Sequence, residues 1–284
     1  MKKVIKSNYI EITSVVARES DGNVQITFTI PFSAVQKAQD DTVVEMAKDI
    51  TVQGFRKGMA PLDKVKGKIP VNTLIEHSLS HILPQALSEA IKKHDLKIAS
   101  YPKYELISAK EGESWQIKAL TCELPEIKLP DYKQSLAKLK LGKSQTREER
   151  ETAVIKYLVE NTRFEIPKVL VDEEVNSRLN SLLARIEKLG LALESYLASL
   201  GKNPDTLRAE YEIQARDAIK LELILSRIIE EENVKVDEKE LSSALEISQT
   251  ANKPQEGENL EHKKRVLESI LRKRKALEIL ANLT

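Results

Sequence analysis

The feature that most constrains this chain is a change of hydrophobic period near residue 125. Before it, runs in which apolar residues alternate one by one, as in half-buried strands, are mixed with helical stretches. After Arg147 apolar residues recur only every three to four residues, as on helices. A chain built this way folds as two bodies, an α+β body followed by an all-α one. Its 284 residues leave room for both, at roughly 150 residues per domain.

The first body reads as β-β-α-α-β-β. Val24, Ile26, Phe28 and Ile30 alternate with polar residues, which predicts a strand. Ile10 and Ile12 suggest a preceding one, and Ser20-Asp21-Gly22-Asn23 supplies the turn between them. Ser33 with Gln36 looks like a capping box, opening a helix with Val35, Ala38, Thr42, Met46 and Ile50 on one face. A second helix is expected from Val71 to about His94. Tyr104–Ala109 and Trp115–Leu124 flank Lys110-Glu111-Gly112-Glu113 and form a second hairpin. Pro125 and Pro130 then bracket a polar run leading into a basic segment, Lys138–Thr146. The expected division is therefore 1–124 as the α+β domain, 125–146 as an extended linker, and 147–284 as the helical domain.

Helices are expected over Arg147–Val159, from Pro167 to about Gly190, and in a short stretch ending at Leu200. Asn203-Pro204-Asp205 combines a cap, a first-turn proline and an early acid. It opens a long helix through about Glu232. Asp237 with Glu240 opens another, Gln249–Asn259 reads as a polar loop, and Leu260–Leu283 as a last helix.

Composition excludes several classes. With 41% hydrophobic and 31% charged residues, the chain is too apolar for disorder. No segment approaches the ~18 uninterrupted apolar residues of a spanning helix, and a cytoplasmic location is expected. One cysteine, Cys122, allows neither an internal disulfide nor a cysteine-cluster zinc site. A net charge of +1 argues against a uniformly basic nucleic-acid binder but not against a local basic patch.

Between the two helices of the first body stands Gln53-Gly54-Phe55-Arg56-Lys57-Gly58-Met59-Ala60-Pro61. Two glycines and a proline mark a loop whose tip carries a phenylalanine beside two cations. One reading packs Phe55 back on the helix ends and leaves Arg56 and Lys57 solvated. The other makes the tip a docking element, in which the aromatic inserts into a groove while Arg forks onto carboxylate or phosphate and Lys adds a point charge. A ribonucleoprotein surface supplies both kinds of anion.

The run Gly54–Pro61 resembles the ribosome-binding signature of the trigger factor family of bacterial chaperones. The surrounding strands and helices follow that family's ribosome-binding domain over roughly 22–124. The stretch from Phe164 to Val175 resembles the start of its C-terminal domain, and likeness continues to about 240. The resemblance implies that Phe55, Arg56 and Lys57 dock on the large ribosomal subunit near the tunnel exit, against a ribosomal protein and adjacent RNA. Gly54 and Gly58 would turn the tip. It also implies helical arms forming a cradle that holds nascent and unfolded polypeptides without ATP, and self-association of the free protein into a homodimer. Typical members insert a prolyl isomerase domain between the two regions. Residues 125–146 are too few for even a ~50-residue domain, so no isomerase activity is expected. The alternatives are a prolyl isomerase with residual activity and a ribosome assembly factor without client binding.

Elsewhere the bland readings prevail. His77 and His81 share i, i+4 spacing but lack a recognisable third ligand, so no metal is expected. Cys122 reads as a small buried hydrophobe. Lys263, Lys264, Arg265 and the run Arg272–Lys275 read as a solvated helix face. No Ser-His-Asp arrangement or phosphate-binding glycine loop is legible, so neither catalytic residues nor cofactors are expected. The client-binding residues cannot be picked out, because exposed and core apolar positions look alike in sequence.

Overall fold

In the computed structural model, which describes residues 12–138, 146–251 and 260–283, the alternating runs form a four-stranded antiparallel sheet. Its strands are β1 (Thr13–Arg18), β2 (Asn23–Ile30), β3 (Lys103–Ser108) and β4 (Trp115–Cys122), in the order β1-β2-β4-β3. Ile12 precedes β1, while Ile10 lies outside the described residues. The centre of the sheet is the long β2–β4 pairing, from Asn23 opposite Cys122 to Ile30 opposite Trp115. Alternation sends Val24, Ile26, Phe28, Ile30, Trp115, Ile117 and Ala119 to one face, where all are buried.

That face is covered by α1 (Phe32–Met46) and α3 (Val71–His94), with a short α2 (Leu62–Lys66) between them. The expected bounds of α3 match those observed, even though Pro84 lies inside it. An internal proline removes a backbone hydrogen bond, but Ile82, Leu83 and Ala86 around it are buried against the sheet side. Two expectations need correction. Ser33 does not cap α1. Pro31 ends the strand with φ −65° and takes the cap position, and no side-chain cap is made, so Ser33 already lies inside the first turn. The helix also stops at Met46 rather than reaching Ile50, although both side chains still pack on one cluster.

The apolar contacts of α1 and α3 fall into three groups along their length. Two include strand residues. The third, made of Val43, Ala47, Val52, Val65, Ile69 and Leu74, contains none, so the helix pair overhangs the sheet and carries a small core of its own. Between the second and third groups, Thr42 Oγ1 and Ser78 Oγ lie 3.3 Å apart. Each hydroxyl also donates to a carbonyl of its own helix, Ala38 O at 2.8 Å and Leu74 O at 2.7 Å. This buried polar joint is fully satisfied.

The chain divides into two units, one built from residues up to Leu124 together with Pro167–Val169, the other from Pro125–Ile166 and from Leu170 onward. The second unit is helical: α4 (Tyr132–Lys138), α5 (Arg147–Asn161), α6 (Lys168–Lys188), α7 (Leu193–Ser199), α8 (Pro204–Glu231), α9 (Glu238–Ala251) and α10 (Leu260–Ala281). Asn203 caps α8 as its sequence predicts, accepting from the Thr206 amide at 2.8 Å. By the ~1.5 Å helical rise α8 is roughly 42 Å long, and it serves three clusters in turn. Leu207 joins Leu182, Ile186 and Leu197, then Ala215 joins Val171 and Val175. Finally Ile224, Leu225 and Ile228 join Val154, Leu158 and Leu280.

This last cluster corrects the linker expectation for 125–146. Tyr132 and Leu136 of α4 are buried in it, so α4 belongs to the helical core. The Tyr132 hydroxyl donates to Glu232 Oε1 at 2.6 Å, and Lys133 Nζ pairs with the same oxygen at 2.7 Å. Burial, and after it the Glu232 carboxylate, push the Tyr132 phenol upward. Most of the basic run Lys138–Thr146 lies outside the described residues, as does the part of the expected 249–259 loop after Ala251.

Because Leu136 is fully buried, Leu136→Ala is expected to destabilise the helical unit by about 2–4 kcal/mol, read by urea unfolding. A side chain on a free linker would leave the midpoint unchanged.

Candidate functional site

The loop expected to carry function hangs from the overhanging end of the helix pair. Val52, at its start, is buried in the strand-free cluster, and Ala60, at its end, packs against it. Both ends are thus anchored apolarly while the tip is held by its own backbone. The Phe55 amide donates to Val52 O at 3.0 Å, and the Met59 amide to Arg56 O at 2.9 Å. Each bond closes a four-residue turn, with Gly54 and Gly58 at the third position of each. Their φ values are +87° and +80°, those of type II turns, which strongly favour glycine there. The predicted role of the two glycines as tip-turning residues is therefore visible in the backbone. Pro61 caps α2, with φ −56°.

Two consecutive turns leave Phe55, Arg56, Lys57 and Met59 facing outward. Phe55 is 42% exposed and Met59 73%, so the aromatic does not fold back into the cluster beneath. Leu62 is exposed too. The Arg56 guanidinium makes no hydrogen bond or ion pair among the described residues. Lys57 does, with its Nζ 3.1 Å from Asp49 Oδ1. From Lys48 to Lys68 the chain carries six cations against two carboxylates, so an almost neutral protein is locally basic around this tip. The arrangement offers a rigid aromatic, a guanidinium able to fork onto an anion, and flanking apolar side chains. That is a surface suited to docking on another macromolecule.

The other sequence candidates do not form a site. His81 Nε2 lies 3.1 Å from Glu45 Oε2, linking α3 to α1. Among the described residues no group of three or more His, Cys, Asp or Glu is placed to hold a metal ion. Cys122 is a buried thiol in no disulfide, with Sγ 3.6 Å from Ser100 Oγ. Several cations of α10 turn out to be tied rather than simply solvated. Lys273 pairs with Glu222 of α8 and Arg272 with Glu268, and Lys275 Nζ lies 2.7 Å from Glu240 of α9. No helix among the described residues is long and apolar enough to cross a membrane. Sequence reasoning could not find the exposed apolar residues at the turns that follow α6 and α7. Leu189 is 68% exposed, and Leu191 and Leu200 are also open to solvent.

A family model described as "Bacterial trigger factor protein (TF)" matches residues 13–160, and one described as "Bacterial trigger factor protein (TF) C-terminus" matches residues 131–282. The trigger factor of Streptococcus uberis is 32% identical over 149 residues, which are 52% of this chain and 34% of that protein. The trigger factor of Streptococcus mutans is 30% identical over 169 residues, or 60% of this chain and 35% of that protein. The matches thus span about a third of the length of these curated relatives. A solved structure from work on promiscuous substrate recognition in folding and assembly activities of the trigger factor chaperone aligns with a TM-score of 0.63. It covers 96% of this chain and 99% of that chain at 14% identity, a likeness of fold.

The turn geometry sets an expectation for the two glycines. Nothing lies within 4 Å of a Cβ built on Gly54, and only Lys48 O, at 4.0 Å, near one on Gly58. The cost of an alanine is therefore conformational, about 1 kcal/mol at either position. Gly67, at φ −66°, is the control. There alanine is expected to be neutral or slightly stabilising, all three being read by urea unfolding.

Proposed function

The chain belongs to the bacterial trigger factor family, and from that premise we propose that it is an ATP-independent chaperone which docks at the ribosomal exit tunnel. The observation that carries the docking half is the exposed Phe55 beside an unpaired Arg56, on a double turn anchored in its own small core. Phe55, Arg56 and Lys57 are the contact residues, Gly54 and Gly58 shape the tip, and the large subunit's protein and RNA near the tunnel are the partners. An aromatic and an arginine on a rigid support are the residue types that concentrate binding energy at interfaces. The surrounding excess of lysine adds attraction to phosphate that falls with salt.

The client half is assigned to the helical unit. Leu189, Leu191 and Leu200 give it aliphatic surface spread over a turn region rather than collected in one pocket. Contacts of that kind are shallow and adaptable. A nascent or unfolded polypeptide stays while its own apolar residues are exposed and leaves as it buries them, so release needs no nucleotide. The protein works in the cytoplasm on this reading and self-associates when free of the ribosome.

Isomerase chemistry is not part of the proposal. The two matching family models are the N-terminal and C-terminal ones, and between Cys122 and Arg147 the described chain contributes one short helix packed into the helical core. Proline-peptide turnover that stays with the protein through further purification would overturn this. Ribosome binding without suppression of client aggregation would favour an assembly factor instead.

The central test is co-sedimentation with ribosomes. Phe55→Ala/Arg56→Ala/Lys57→Ala is expected to weaken binding at least about ten-fold, since truncating one interface hot spot commonly costs ~2 kcal/mol. Its unfolding should stay that of the parent, because all three side chains are exposed. A triple variant that pellets like the parent sinks the docking assignment.

A further inference from the structure

The second turn of the loop does more than display side chains, because it brings Lys57 back to the end of α1. Gly58 sits against that end, near the Lys48 carbonyl, and Lys57 Nζ meets Asp49 Oδ1 at 3.1 Å. Asp49 follows α1, with its amide donating to Met46 O at 3.0 Å. We propose that Asp49 tunes the charge of the docking loop. Its carboxylate holds Lys57 in an internal pair in the free protein and competes for that cation with the anionic surface of the ribosome. The inference rests on the docking reading and adds a regulating residue to it.

Stability does not account for this carboxylate. The Asp49 side chain is 87% exposed and that of Lys57 58%, and pairs so exposed are weak and screened by salt. A negative charge just past a helix C-terminus also faces the negative end of the helix dipole, where it is disfavoured. What the pair does change is the face shown to a partner. Of the two loop cations, the Arg56 side chain stands unpaired while Lys57 already has a carboxylate beside it. A partner that takes Lys57 from Asp49 must give up part of that attraction to the displaced carboxylate, which then sits close to the partner's own negative charge. Asp49 therefore lowers the affinity of the loop and flattens its dependence on salt.

The test is ribosome co-sedimentation across a potassium chloride series, with the parent, Asp49→Asn, Lys57→Gln, Asp49→Asn/Lys57→Gln and Phe55→Ala. Asp49→Asn is expected to bind roughly two- to five-fold more tightly at low salt. The gain should fade as salt rises and vanish in the Lys57→Gln background, while the unfolding midpoint stays at the parent value. Unchanged or weaker binding of Asp49→Asn overturns the proposal. So does a gain independent of salt, or one that persists undiminished when Lys57 is gone. Phe55→Ala separates the two levels. If it binds like the parent, the docking reading fails and this inference with it. If it binds weakly while Asp49→Asn shows no gain, only the role of Asp49 fails.

Discussion

The antiparallel pairing of β2 with β4 is the constraint on which the first unit depends. It joins residues 23–30 to residues 115–122, so everything between them is an excursion that must leave from one end of β2 and return to β4. The excursion opens with α1 directly after Ile30 and covers the buried face with α1 and α3. These helices are longer than the face they cover, so the end of α1 and the start of α3 run past it. Apolar residues on that overhang would face water were they not buried on one another, and Val43, Ala47, Val65 and Leu74 do this. The connection between the helices is then held far from the sheet yet anchored at both ends. An anchored tip is what an interface residue requires, because a side chain placed beforehand loses less entropy on binding.

How much of this was legible follows from the range over which each signal acts. The strands were legible because alternation is local and each apolar residue of β2 reports its own face. The full length of α3 was legible despite Pro84, since the apolar period carries through it. The helix α4 was not. Seven residues give too short a window for a helical period, and Pro125 and Pro130 pointed to an extended chain. Its burial depends on α5, α8 and α10, which lie far along the sequence. Ser33 misled for a related reason: the cap residue was right in type, but Pro31 two positions earlier already fixed the start of the helix.

The candidate site divides in the same way. Glycine spacing and the Phe-Arg-Lys run were readable, since a turn is made by neighbouring residues. The Asp49–Lys57 pair was not, because it needs two turns to bring a side chain back beside the end of α1. Equally illegible was which aliphatic residues of the helical unit stay outside. Within α6 the spacing of Val171, Val175, Leu179, Leu182 and Ile186 does mark the inner face, and Leu182 is buried while Leu183 is exposed. Past the helix, at Leu189 and Leu191, no period is left to separate inside from outside.

Aromatic residues make up only 4% of the chain, and this has a physical counterpart in the helical unit. Its clusters are mostly Leu, Ile, Val and Ala, and no single one holds the whole. Among the described residues, the cluster that gathers α4, α5, α8 and α10 has eight buried members, while the two that join α6 to α8 have four each. Local stability scales with the apolar area a region removes from water, which favours opening at the turn beyond α6 over opening at the base of α8. The exposed Leu189 and Leu191 lie in that less stable part. On the proposed function, a surface that fits many unfolded segments gains from sitting there, because repacking at the turn would leave the larger cluster undisturbed. The first unit has the opposite need and the opposite construction. Its proposed contact residues stand on two closed turns, a construction suited to meeting one partner in one geometry.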